Sequence, residues 1–352
     1  MTFTPDPLTP FASNRRRFLK GLVMISVGGR ALLASGDAHA AMDAARDVAR
    51  AYIVWPEMAY RKLGRTGWNS SRLVFGCGAA LTGRRRDSLL DAAFDAGINT
   101  FDVGFSGYYE DAERNLAPFL KKHRGEVFVI SKGMPAGEVE PGQTLSGGQR
   151  KKIAATWTQM MNASLRELDV ERVDAYYLMA SNNVDLIGSD EIREAFESAK
   201  AAGKVKHLGV STHQNAENVL NTAVKSGIYD LAMIAITPAG WYDWNDKSIL
   251  RGSKPMIDLQ PVLARARAAG VGLVGMKAGR FLAGRKFLSW GKPNAFDEFY
   301  SKEFMASGLS AFQRSYAFVL GHGLDVVNAD MQSLSHLQEN VAAAVGSSTH
   351  FA

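Results

Sequence analysis

The feature that most constrains this chain is an alternation that runs almost its whole length. Short apolar runs occur at RLVFGC (72–77), NTFDV (99–103), EVFVIS (126–131), RVDAYYLM (172–179), VKHLGVS (205–211), LAMIAIT (231–237), VGLVGMK (271–277) and LDVVNA (324–329). They carry apolar residues at consecutive positions, as strands covered on both faces require. Between them the apolar residues recur every three or four positions, which predicts helices over Asp87–Ala96, Asp111–His123, Gln149–Leu168, Asp190–Ala202, Ala216–Ser226, Met256–Ala269 and Leu309–Leu320, with Leu334–Val345 closing the chain. In DAGIN, AAGKVK, KSGIYD and AAGVGL a glycine stands where a left-handed stop would end the helix. Eight such alternations without a change in composition predict an α/β fold, a single (β/α)8 TIM barrel. A doubly wound sheet is the alternative, but its glycine fingerprint is missing: GCGAALTG has Leu81 in place of the third glycine.

Three segments exceed ordinary connections: Pro135–Gly148, Pro238–Pro255 and Gly279–Ser307. All follow strands, so in a barrel they gather at the C-terminal face, where such folds place their sites. The second carries two tryptophans and a tyrosine, which either wall a pocket or pack the loop on itself. Ahead of the first strand, MAYRKLGRTGWNS (58–70) reads as a small hairpin.

The N-terminus is of another kind. NRRRFLK (14–20) places twin arginines before Phe-Leu-Lys, followed by the apolar run GLVMISVGG and the small-residue site Ala38-His39-Ala40. This resembles a twin-arginine (Tat) export signal. The apolar run falls short of the roughly 18 residues a membrane span needs, and Arg30 interrupts it. The expectation is a signal peptide over residues 1–40, a barrel over 41–352 opening on a short helical lead-in, Ala41–Tyr52, passage through the Tat translocase as a folded protein, and a periplasmic location without a stable membrane span.

Charge and cysteine content narrow the function. The formal charge is +6, of which the leader, with five basic and two acidic residues, supplies half; the rest interleaves both signs and offers no stripe for nucleic acid. One cysteine, Cys77, follows an apolar strand and reads as a buried thiol, excluding internal disulfides and four-cysteine metal sites. No His-x-His pair or His/carboxylate cluster marks the strand ends, so no metal site is expected. LSGGQRK (145–151) looks like the signature loop of an ATP-binding cassette, but no GxxxxGK[ST] accompanies it; Ser146 and two glycines starting a helix suffice.

The chemistry concentrates in NTFDVGFSGYYEDAE (99–113) and VFVISKG (127–133). Asp102 ends one strand and Lys132 the next, with Tyr108 close behind Asp102. A phenol, with an ordinary pKa near 10, becomes a usable acid when an ammonium stabilises its phenolate and a carboxylate keeps that ammonium charged. The plain alternative is a structural ion pair between Asp102 and Lys132.

At these residues the sequence resembles the aldo/keto reductase family. The likeness extends over YRKLGRTG, RLVFGCG, DAAFDAGINTFDVG, AERNLAPFL, VISKG, SLRELDVERVDAYYLM, AKAAGKVKHLGVSTH, AAGVGLVGMKAG and LQENVAAA. It implies a (β/α)8 barrel, NADP or NAD across the C-terminal face, and hydride transfer to or from a small carbonyl or alcohol substrate with a tyrosine acid. Asp102 and Lys132 take the family's Asp and Lys. The family's tyrosine position is Gly107 here, so Tyr108 fits with a shift of one and Tyr109 is the second candidate. Met179 replaces the histidine ending strand four, and a thioether donates nothing to a carbonyl oxygen. His213 either compensates or is structural. The resemblance assigns Ser211 and Thr212 to the nicotinamide carboxamide, Lys277, Gly279 and Arg280 to the pyrophosphate, and Glu339 and Asn340 to the adenine side. Met233 replaces the strand-six glutamine. Asn328–Gln332 replaces a glycine turn and basic residue for the 2′-phosphate, which weakens that site. A barrel that has lost carbonyl chemistry and serves as a periplasmic binding or accessory protein is the second reading.

Overall fold

The computed structural model describes residues 53–135, 139–282 and 291–351. The Tat signal and the helical lead-in expected over Ala41–Tyr52 lie outside the described residues. From Pro56 to Ala352 the chain forms one compact unit.

A two-stranded antiparallel hairpin comes first, β1 (Tyr60–Lys62) with β2 (Asn69–Ser71), as its glycine-punctuated sequence predicts. Then follow β3 (Leu73–Gly76), β4 (Thr100–Asp102), β5 (Phe128–Gly133), β6 (Val173–Leu178), β7 (Val205–Thr212) and β8 (Leu231–Thr237). A short hairpin, β9 (Gly240–Asp243) and β10 (Ser248–Ile249), precedes β11 (Gly272–Met276) and β12 (Val326–Asp330). Parallel pairing runs β3-β4-β5-β6-β7-β8-β11-β12 and returns from β12 to β3, closing an eight-stranded barrel with helices between successive strands. Each apolar run of the sequence supplies one of these strands.

The helices form where the 3.6-residue spacing puts them. Ala216–Ser226 has the predicted bounds, and Gly97, Gly203, Gly227 and Gly270 after the four glycine-terminated helices all have positive φ. Ser146 accepts from the backbone of Gln149, whose side chain answers the Ser146 N–H, so LSGGQRK is the capped start of the helix Gly147–Glu167.

Alternate residues of each strand face inward. Val74, Phe128, Ile130, Ala175, Tyr177, Met233, Ala235, Val274, Met276 and Val326 fill the barrel, and Leu63 of the entering hairpin closes its N-terminal end. Trp68 of the same loop packs on Phe128 and donates through Nε1 to Thr100 Oγ1 at 3.2 Å. With that end sealed and the interior filled by side chains, the open end is the C-terminal one, where Asp102, Lys132, Met179, Ser211 and Lys277 all stand at or just beyond a strand end.

Candidate active site

β4 and β5 are neighbours with Asp102 opposite Ile130, and this register brings Asp102 and Lys132 together. Lys132 Nζ lies 2.5 Å from Asp102 Oδ2, and both side chains are almost wholly buried. Burying either charge alone would cost several kcal/mol, roughly 3–5 by the effect of breaking such pairs, so each requires the other. Asn328 on β12 adds a third member, its Nδ2 donating to the same Oδ2 at 2.6 Å and meeting Met233 Sδ at 3.8 Å. Both donors converge on one oxygen; Asp102 Oδ1 and Asn328 Oδ1 stay buried without a hydrogen-bond partner. Burial raises the Asp102 pKa, opposed by Lys132 and by the Asn328 hydrogen bond.

The tyrosine beside this pair is Tyr109. A Cβ added to Gly78 would overlap its ring, and one on Gly104 would lie 2.9 Å from the ring and 2.9 Å from Lys132 Cγ. The two glycines therefore form a slot that holds the Tyr109 ring against Lys132, whose Nζ is 5.8 Å from the ring centroid. Tyr108, the first choice from spacing, is 48% exposed and stands edge-on to Tyr109 at 4.7 Å. One residue of shift along the turn Ser106–Tyr109 rotates a side chain by about 100°, which separates the two rings. The expected lowering of the phenol's pKa is not found. Burial pushes Tyr109 up first, and the charge of Asp102 adds to the rise.

Met179 follows β6, is buried, and donates its backbone N–H to Gly133 O at 2.8 Å. Ser211 and Thr212 both bond to the loop that follows β6. Ser211 Oγ accepts from Ala180 N at 3.0 Å, and Thr212 Oγ1 donates to Asn182 Oδ1 at 2.7 Å. Asn182, not singled out from the sequence, also accepts from His213 N, so it ties the end of β7 to the loop after β6.

Beyond β11 the mouth is basic. Lys277, with φ 71, places Nζ 4.6 Å from the centroid of Trp244, and Lys247 and Arg280 face the same ring. Burial and then Arg280 pull Lys277 down to about 8. His213 packs on Trp244 with the rings tilted and their centroids 5.3 Å apart, and it is held neutral, its pKa lowered to about 3 by burial and then by Lys277. The aromatic loop thus divides its work: Trp241 and Tyr242 are buried packing residues, whereas Trp244 walls the mouth.

Three of the positions that the resemblance assigns to the cofactor make contacts within the chain. Gly279 is covered by Phe312, 2.9 Å from where its Cβ would be, so its smallness admits the helix that carries that ring. Glu339 accepts from Ser310 Oγ at 2.5 Å and from Gln313 through its backbone oxygen, fastening two helices together; Asn340 is buried beside it. Asn328 through Asp330 belong to β12 itself and not to a turn after it. Among the described residues no cluster of three potential metal ligands occurs, and no helix is long and apolar enough to cross a membrane.

Known proteins place these features. Residues 75–248 match the model of the aldo/keto reductase family. An uncharacterized oxidoreductase of Bacillus subtilis is 27% identical over 178 residues, half of this chain and 56% of that protein. The holo form of an aldo-keto reductase from Bacillus halodurans superposes with a TM-score of 0.59 at 21% identity, covering 84% of this chain and 95% of that one. An aldo-keto reductase from Klebsiella pneumoniae in complex with NADPH does so with a TM-score of 0.59 at 18% identity, covering 82% and 90%. Residues 75–248 are thus similar to the aldo/keto reductase family, and the closed barrel that carries them is the fold of its solved members.

Proposed function

We propose that the protein reduces a carbonyl compound with a nicotinamide dinucleotide, with Tyr109 as the proton donor. One observation carries this reading: the Gly78–Gly104 slot holds the Tyr109 ring against a lysine that is itself paired with Asp102. Family relatives support the cofactor, one of them having been solved with NADPH. The donor set of this chain fits it. Lys277 and Arg280 beside the Trp244 face supply positive charge and an aromatic surface where a pyrophosphate and a ring would lie. When bound, the dinucleotide supplies the hydride.

The protein's own residues then manage the proton. As the carbonyl oxygen gains negative charge, Tyr109 Oη gives up its proton to it. The remaining phenolate would be costly in a pocket that already raises its pKa, and the Lys132 ammonium is the charge placed to stabilise it. Asp102 keeps that ammonium charged and fixes its direction, while Asn328 holds the carboxylate from the other side. Met179 leaves the carbonyl side of the pocket apolar, so one fewer donor meets the substrate oxygen. Asp330 ends β12 and would repel a 2′-phosphate there, so NADH should serve at least as well as NADPH.

Tyr109→Phe should lower turnover of a carbonyl substrate by about 10²–10⁴-fold with nucleotide affinity kept, and Tyr108→Phe should leave turnover within a small factor. Loss in Tyr108→Phe with retention in Tyr109→Phe would overturn the assignment. Met179→His should raise carbonyl reduction by restoring a donor. We also propose export by the twin-arginine route, supported by the NRRRFLK and Ala38-His39-Ala40 sequences. Replacing Arg15 and Arg16 by lysine should retain the protein in the cytoplasm; unchanged periplasmic yield would refute it.

A further inference from the structure

The opposite end of the barrel carries charge that the reaction does not use. Arg61 and Lys62 of the entering hairpin, Arg65 just after it, Arg267 from the helix Gln260–Ala268, and Asp325 ahead of β12 line an open groove of about 660 Å³. Asp325 is the single carboxylate among the lining residues. Its Oδ1 meets Arg61 Nε at 3.3 Å and Arg267 Nε at 3.5 Å, and its Oδ2 accepts from Leu273 N at 2.8 Å, so both oxygens are engaged. Arg72 stands behind, donating to Leu320 O and Leu324 O, while its Nε is buried without a hydrogen-bond partner. Arg65 is answered separately by Asp230 at 2.9 Å.

Two guanidinium groups therefore share one carboxylate, a surplus of one positive charge that becomes two once Lys62 is counted. The surplus registers in the groups themselves. Arg72 is lowered to about 10 by burial and then by Arg61, and Arg61 is lowered by burial and then by Arg267. A further anion in the groove would relieve such mutual repulsion. Arg61 and Arg267 reach Asp325 through Nε, which leaves the terminal amino groups of each fork for another acceptor; both side chains are about a third exposed to the groove's solvent. A phosphate group, carrying close to two negative charges near neutral pH, matches the surplus in sign and amount.

We propose that this groove at the N-terminal end of the barrel binds a phosphate group, held by Arg61, Lys62 and Arg267 and remote from the carbonyl-reducing mouth. The group comes either from a free phosphate or from a lipid headgroup, since the same oxyanion serves both.

The test is thermal unfolding of the full chain in chloride buffer with and without inorganic phosphate at constant ionic strength. Phosphate should raise Tm in the wild type and in Lys277→Gln, which removes a cation of the mouth. The rise should vanish in the double variant Arg61→Gln/Arg267→Gln and shrink in Lys62→Gln, a surface change that does not threaten folding. No phosphate-dependent rise, a rise that survives the double variant, or one that disappears in Lys277→Gln would each overturn the proposal. Sedimentation with vesicles containing phosphatidic acid, whose headgroup is a phosphate monoester, compared between wild type and double variant, identifies the source. Vesicle binding lost in the variant assigns a headgroup, and a Tm rise without vesicle binding assigns a free phosphate.

Discussion

The two ends of the barrel each bury a carboxylate among cations and use it differently. At the N-terminal end Asp325 spends both oxygens, one on two arginines and the other on the backbone of β11. Asp230 does likewise, meeting Arg65 at 2.9 Å and His207 at 2.8 Å. At the C-terminal end Asp102 collects Lys132 and Asn328 on one oxygen and leaves the other unpaired in a buried place. Saturated charges tie strands to the hairpin that seals the barrel. An unsaturated one stays responsive to whatever enters. The difference teaches that burial of a charged pair does not by itself mark a reactive centre; what sets the mouth apart is a buried carboxylate oxygen left unspent there, where the other end leaves only cationic donors.

The comparison can be broken most sharply at the slot. Gly104→Ala places a methyl group against both the Tyr109 ring and Lys132, and a displacement of about 1 Å should cost on the order of 10²-fold in kcat with little change in Tm. A large loss of stability instead would make the slot a packing feature like those of the sealed end. A smaller effect, of the opposite kind, is expected there. Asp325→Asn should lower unfolding stability by about 2 kcal/mol, discounted from the roughly 3–5 kcal/mol of a fully buried pair because both arginines are partly exposed, and should leave kcat unchanged. Chemical denaturation beside steady-state kinetics reads both quantities, and a fall in kcat would join the two ends functionally.

The mildest expected effect is a pH dependence. Lys277 releases its proton near pH 8 in the fold against 10.5 for an ordinary lysine, so its charge destabilises the fold fully below about 8. That penalty is relieved as pH rises from there toward 10.5. Affinity for nucleotide should move the other way and weaken as pH climbs through about 8, because the attracting charge is lost. Fluorescence titration across that range should show the weakening in the wild type and a flat profile in Lys277→Met.

The barrel was legible in the sequence because two-sided burial leaves an unmistakable run of apolar residues at every strand, and the glycine stops divide the rest. Asp102 and Lys132 were legible as carboxylate and amine at adjacent strand ends. Other parts of the site depend on contacts that no local pattern records. Asn328 sits in the last apolar run, but its bond to Asp102 depends on the pairing of β12 with β3, which closes the barrel and carries the strand on to Asp330. The hydroxyls of Ser211 and Thr212 looked available because their partners, Ala180 N and Asn182, lie on a different loop. Gly279 resembled a ligand glycine because the phenylalanine that covers it is more than thirty residues away in the chain.

The Tyr109 slot has one more consequence. Seven residues separate Asp102 from the tyrosine that reaches its lysine, where the family resemblance predicts five. The ring is located by the two clearings at Gly78 and Gly104, on connections that belong to different strands, and not by the length of the path leading to it. Within the intervening loop Gly104 is the position that has to stay small, since a side chain there would meet both the ring and Lys132. In this chain the tyrosine beside the buried lysine is found by asking which glycines make room for a ring, where an interval counted from the aspartate points elsewhere.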